Sequence, residues 1–287
     1  MQSYEGLRLP RKIAPLVLSP LFIGLLLSAL PGATTEKTVA QIVEEQARAV
    51  LVVYNFGPGR ALQGRGSGFL VRPNGIFVTN FHVVEGSAAV AIKLPDRREF
   101  AATGIVALRP DLDLAVLKVE AQGLPVVALG DSDAVKVGEQ AVAIGSPMGL
   151  ENTVSDGLIS AIRKAGPGGR ILQITSPISP GSSGGPLFNT KGEVVGITFA
   201  GFDEGQNLNF AIPINNAKPL IRDVASMAFS PSALAAKEEC PVIGNRVSGI
   251  YHVRGGQFYA RMRRSPNRIC FQSEADAVQA GFRRSLR

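Results

Sequence analysis

The apolar positions of this chain fall into three regimes. Residues 13–30 form an apolar run broken by Pro15 and Pro20. Residues 38–49 (TVAQIVEEQARA) place apolar side chains at helical spacing, which predicts a short amphipathic helix. From residue 50 onward, short runs rich in Val, Ile, Leu and Phe are punctuated by Gly, Pro and Asn. That pattern predicts strands joined by turns.

In the first half, strands are expected at 50–54, 68–71, 76–79, 88–94, 99–108 and 114–118, with a surface loop over the Gly- and Arg-rich stretch 56–66. Asn74-Gly75 between two apolar runs predicts a hairpin. After a linker at 121–125, strands are expected at 140–144, 153–162, 171–175, 186–189, 194–199 and 208–212. Two blocks of about six short strands predict an all-β fold of two antiparallel six-stranded β-barrels, about 50–122 and about 126–215. A short helix over 213–226, a linker at 227–239 and a small α+β module at 240–287 complete the expected organisation.

Composition sharpens this picture in two places. An apolar content of 45% with 18% charged residues excludes a disordered chain. The net charge of +7 is concentrated in residues 240–287, where nine arginines face Glu274 and Asp276. Contact with an anionic surface or nucleic acid is therefore an expectation for the tail alone.

At the N-terminus, Arg8, Arg11 and Lys12 precede the apolar run, and small residues follow it up to Ala33. This arrangement predicts an export signal over 1–33, read either as a cleaved peptide or as an uncleaved membrane anchor through 13–30. The protein is accordingly expected outside the cytoplasm, periplasmic or extracellular.

The stretch PGSSGGPL at 180–187 sets serines among glycines, where backbone N–H groups can approach a developing negative charge. A serine hydroxyl needs a base, and the chain has only two histidines, His82 and His252. His82 closes an apolar strand, and Asp113 stands at the mouth of another, with Asp111 as a weaker candidate nearer a turn. The pattern G-x-S-x-G at 181–185 also permits a nucleophile elbow, which must lead into a helix. Pro186 and the turn at 189–192 follow instead, and strand–helix alternation is missing.

TNFHVVEG at 79–86, DLAVLK at 113–118 and PGSSGGPL at 180–187 resemble the HtrA/DegP group of chymotrypsin-fold serine proteases. GSGFLV at 66–71, AIGSPMGL at 143–150, GEVVGI at 192–197 and NFAIPI at 209–214 match that group in order and spacing. The resemblance covers about residues 40–222, within an expected peptidase domain at 34–226. It implies His82 as general base, Asp113 as its orienter, Ser183 as nucleophile, and the N–H groups of Gly181 and Ser183 as oxyanion hole. It further implies a specificity pocket lined by Ile178, Thr198, Phe199, Ala200 and Asn209, suited to small aliphatic residues before the scissile bond. No metal or cofactor is implied. The implied substrates are unfolded or damaged polypeptides, in a protein quality-control role, and a trimer through residues 36–49 is the implied assembly. Ser182 departs from the family, which usually carries Asn there, and this puts the resting shape of the oxyanion hole in question. A protease-like fold that binds chains without cutting them is the alternative, and the presence of all three triad candidates argues against it.

Family members usually continue into PDZ domains of about a hundred residues, whereas the remaining segment shows no PDZ-like pattern. Residues 240–287 are instead similar to a small module found after secreted bacterial nuclease domains. Cys240 and Cys270, the only cysteines, both fall there, and in an exported protein they are expected to form a disulfide. A metal site of Cys240, His252 and Cys270 is the competing idea, and it lacks a fourth ligand.

Overall fold

Strands β1 (Val50–Phe56), β2 (Leu62–Arg72), β3 (Ile76–Asn80), β4 (Ala89–Lys93), β5 (Glu99–Arg109) and β6 (Leu114–Val119) follow a short helix α1 (Val39–Gln46) in the computed structural model. The structure describes residues 36–146, 153–164, 169–199, 209–222, 227–235, 240–256, 258–263, 265 and 268–285. Thr38 caps α1 by accepting from the Gln41 N–H, while the Gln41 side chain accepts from the Thr38 N–H in return. Ile42 of α1 is buried in a core cluster with residues of both strand blocks, such as Val50 and Val194.

The strands pair in the order β5-β4-β1-β2-β3-β6, and β5 also pairs β6, so the sheet closes on itself. After β7 (Ala128–Leu129), a second set comprises β8 (Gln140–Gly145), β9 (Thr153–Lys164), β10 (Arg170–Ile174), β11 (Pro186–Phe188), β12 (Glu193–Phe199) and β13 (Asn209–Pro213). Their order is β11-β8-β9-β10-β13-β12, closed by β11 against β12. These are two closed six-stranded antiparallel barrels, as expected, with β7 added in parallel at the edge of the second.

Burial on both faces explains why the strands read as continuous apolar runs. In β1, Leu51 and Val53 fill the first barrel, while Val50 joins a cluster shared with Val142, Ile144 and Phe188 of the second. Such a strand has no solvent face and needs no polar alternation.

Three segments differ from the sequence expectation. Leu62–Gly66, expected as loop, belongs to β2 and pairs with the outer half of β1. Its side chains are largely exposed, so backbone pairing alone makes it a strand. His82 lies on a one-turn helix α2 (Phe81–Val84) that follows β3. The stretch 227–239, in its described part, packs on the first barrel: β14 (Met227–Ala228) pairs with β5, and Leu234 is buried. Within the helix expected over 213–226, the described residues form a 3-10 turn at Ile214–Asn216 and helix α3 (Lys218–Arg222).

The C-terminal residues form a separate four-stranded sheet from β15 (Val242–Asn245), β16 (Ile250–Val253), β17 (Arg268–Phe271) and β18 (Arg283–Arg284). Helix α5 (Glu274–Gln279) packs through Ala277 on a small core with Tyr251, Phe271 and Phe282, while helix α4 (Tyr259–Met262) packs through Tyr259 and Met262 on a second cluster with Ile243. Cys240 and Cys270 are joined by a disulfide, so neither is available as a metal-binding thiolate. All of these elements belong to one compact unit, Thr35–Arg287.

Candidate active site

The β3–β6 pair brings His82 and Asp113 together. Asn80 at the end of β3 is opposite Leu114 at the start of β6, so the residues just outside this register face each other. The Phe81 N–H donates to the Asp113 carbonyl at 3.0 Å, and Asn80 Nδ2 donates to the same oxygen at 3.1 Å. With its backbone held, the Asp113 carboxylate meets His82 twice. Oδ1 accepts the His82 backbone N–H at 2.9 Å, and Oδ2 lies 2.8 Å from the ring Nδ1.

Asp113 is 3% exposed, so little water competes for these oxygens. An ionised carboxylate can only accept, so in the neutral imidazole this contact selects the tautomer with the proton on Nδ1 and the lone pair on Nε2. Asp113 adopts φ 57°, in the left-handed region, while its N–H donates to the Pro110 carbonyl at 3.2 Å. A non-glycine residue there costs roughly 1–3 kcal/mol and persists because surrounding bonds fix it. Asp111 is engaged elsewhere: its bond to the Arg109 guanidinium, 2.8 Å from Nε, holds its carboxyl below the usual range.

Ser183 sits on the loop between β10 and β11. Ser182 N–H donates to the Ser179 carbonyl at 2.9 Å, closing a turn around Pro180 and Gly181. Gly181 has φ 97°, the conformation that a type II turn requires at its third position after proline. This turn forms with Ser182 in place, and the Ser182 carbonyl is tied by Thr198 Oγ1 at 3.0 Å.

The first barrel grips the same loop. Ser67 of β2 donates its N–H to the Ser183 carbonyl at 2.8 Å and its hydroxyl to the Gly181 carbonyl at 2.8 Å. The Ser67 hydroxyl also accepts the Ser146 N–H at 2.9 Å. Gly184, at φ 89°, packs where a Cβ would lie 2.2 Å from the Ser67 carbonyl and 2.4 Å from Thr79 Oγ1. Thr79 is three residues before His82, so the serine loop is pressed against the end of the hairpin that leads to the histidine.

The expected specificity-pocket residues are dispersed in role. Ile178 is partly buried against the second-barrel core, and Asn209 begins β13. Thr198 is buried and uses its hydroxyl on the carbonyls of Ser182 and Gly185, at 3.0 and 3.1 Å. Phe199 is 1% exposed and stacks on Phe210, with centroids 6.0 Å apart. Ala200 lies outside the described residues.

Sequence reasoning missed the part played by the C-terminal unit. Arg246, just after β15, is buried and donates to the carbonyls of Pro110 and Asp111, the turn that leads to Asp113. The same guanidinium donates to the Arg268 carbonyl at 3.1 Å. Burial pushes the Arg246 pKa down from its ordinary value, and the nearby Asp113 and Asp111 charges oppose that shift. Arg268 makes an ion pair with Glu85, the residue that follows α2. The unit thus touches both the histidine-bearing and the aspartate-bearing segments. The visible signal was Arg246 itself, a charge directly following the apolar run of β15.

A Trypsin-like peptidase domain model matches residues 66–197, which includes His82, Asp113 and Ser183. A putative serine protease HhoB of Synechocystis is 42% identical over 189 residues, covering 63% of this chain and 43% of that protein. A probable periplasmic serine endoprotease DegP-like of Pseudomonas putida is 44% identical over 164 residues, covering 55% of this chain and 34% of that protein. The chain thus spans less than half the length of these curated relatives. The serine endoprotease from Yersinia pestis superposes with a TM-score of 0.57 at 34% identity, covering 68% of both chains. The HtrA-type protease AlgW with tripeptide gives 0.60 at 34%, covering 65% of this chain and 63% of that one. With that similarity added to the paired barrels, the chain belongs to the HtrA/DegP-like group of trypsin-like serine endopeptidases.

Proposed function

We propose that this chain is an exported serine endopeptidase that cuts polypeptides through Ser183, His82 and Asp113. The observation that carries the reading is the double hold of Asp113 on His82, through backbone N–H and ring Nδ1. It fixes the imidazole so that Nε2 takes the Ser183 proton as the hydroxyl attacks a peptide carbonyl. Asp113 stabilises the imidazolium that forms, and the N–H groups of Gly181 and Ser183 hold the oxyanion. Among the described residues no carbonyl takes the Gly181 N–H, which suits that role. Losing one such donor costs about 3–4 kcal/mol of barrier. His82 then protonates the leaving amine, and water releases the acyl group by the same steps in reverse order.

Residues 34–226 act as the peptidase domain and residues 240–287 as a small basic unit. Small aliphatic residues before the scissile bond suit the uncharged side chains of Ile178, Thr198, Phe199, Ala200 and Asn209. Periplasmic location follows from the naming of the DegP-like relatives and from the export signal expected at 1–33. Labelling with a fluorophosphonate tests the assignment. The wild-type chain incorporates one equivalent and digests an unfolded protein, whereas Ser183→Ala does neither. Digestion by the pure Ser183→Ala protein would refute the triad.

A further inference from the structure

A cavity of about 510 Å³ lies between the C-terminal unit and the first barrel, and His82 and Asp113 are part of its wall. The opposite wall comes from the C-terminal unit, with Tyr259 and Phe271 as apolar surface and Arg254 and Arg263 as charges. We propose that this cavity is a substrate subsite that takes an acidic side chain of the polypeptide, close to the scissile bond. The inference rests on the reading of His82 as the catalytic base.

The charge balance around the cavity selects the ligand. Each carboxylate on its wall is already engaged: Asp113 with His82, Asp111 with Arg109, Glu85 with Arg268. The cations are in excess. Arg246 bonds only to carbonyl oxygens, and Arg254 and Arg263 have no carboxylate partner among the described residues. Their backbones are nevertheless fixed: the Arg254 N–H donates to the Pro241 carbonyl at 3.0 Å, and the Arg263 N–H to the Tyr259 carbonyl at 3.0 Å. Two guanidiniums with no carboxylate partner among the described residues, sharing a cavity with the rings of Tyr259 and Phe271, fit a carboxylate with its methylene stem, and they repel lysine and arginine. Because His82 borders the space, a residue flanking the bond under attack is the one within reach. A polypeptide is favoured over nucleic acid because the positive surface and the catalytic imidazole share one cavity.

The test is cleavage-site mapping of a proteome-derived peptide library by the full chain, followed by kcat/KM for two matched peptides. These peptides differ only in Glu or Lys at the mapped position. The wild-type protein should enrich Asp and Glu within three residues of the cut and prefer the Glu peptide about tenfold. Arg254→Glu/Arg263→Glu, with its fold checked by thermal melting, should lose that enrichment and bring the ratio to one or below. An unchanged ratio in the folded double variant would overturn the subsite while leaving the triad intact. Loss of salt-sensitive DNA retention without any change in the peptide ratio would overturn it as well, assigning the arginines to nucleic acid. Failure of the triad is read separately, from Ser183→Ala.

Discussion

Arg246 and Asp111 stand 135 positions apart, yet the guanidinium of one donates to the backbone carbonyl of the other. Since Pro110, whose carbonyl also accepts from Arg246, receives the Asp113 N–H as well, the arginine props the turn that sets the Asp113 carboxylate. Arg246→Met should lower kcat by about tenfold while KM stays within about twofold, as expected when a reacting group is misplaced. Arg246→Lys, which keeps a donor but not the fork, should recover part of that loss. Steady-state kinetics on the three proteins, with melting curves as control, provide the comparison.

Asp113→Asn preserves size but replaces an acceptor-only carboxylate with an amide, so Nδ1 of His82 is no longer required to carry the proton. Catalysis should fall by about ten-thousand-fold. Binding of an uncleaved peptide analogue should be retained. A kcat within tenfold of wild type would mean that another group orients the histidine.

Ser67→Ala removes a hydroxyl that donates to the Gly181 carbonyl and accepts from the Ser146 N–H. Both are left without that partner in a buried setting, at a cost of about 1–3 kcal/mol. The burden falls on the loop that carries Ser183. The rate of fluorophosphonate labelling should therefore drop by more than the melting temperature would suggest.

Cys240 and Cys270 close a loop with a sequence separation of 30. In the chain-entropy model such a link contributes on the order of 3–4 kcal/mol. Cys240→Ser/Cys270→Ser, or reduction, should unfold the C-terminal unit at a lower temperature than the barrels. Peptidase activity should decline with it, because Arg246 and Arg268 act on the dyad from that unit. Parallel melting and activity curves under oxidising and reducing conditions would show the coupling.

What the sequence disclosed follows physical lines. Buried strands such as β1 and β3 are legible because both faces are apolar, and the hairpin is legible because Asn74-Gly75 marks its turn. Leu62–Gly66 was not, since its partner is a backbone and its side chains are solvated. His82 and Asp113 could be named from short motifs, but their double contact depends on β3–β6 register. Arg246 was hidden because its partners are main-chain carbonyls, which leave no compositional trace. The resemblance gives no hint that the hydroxyl of Thr198, implied as a pocket-wall residue, also ties the carbonyls of the serine loop.

Ser67 also has a bearing on biosynthesis. It comes from the first barrel, yet the loop it secures is made later and belongs to the second. A chain that has completed only one barrel therefore lacks a held nucleophile loop, and a loose second barrel lacks the strand that tethers it. On the triad reading, the Ser183 loop takes its held form only once the two barrels have docked.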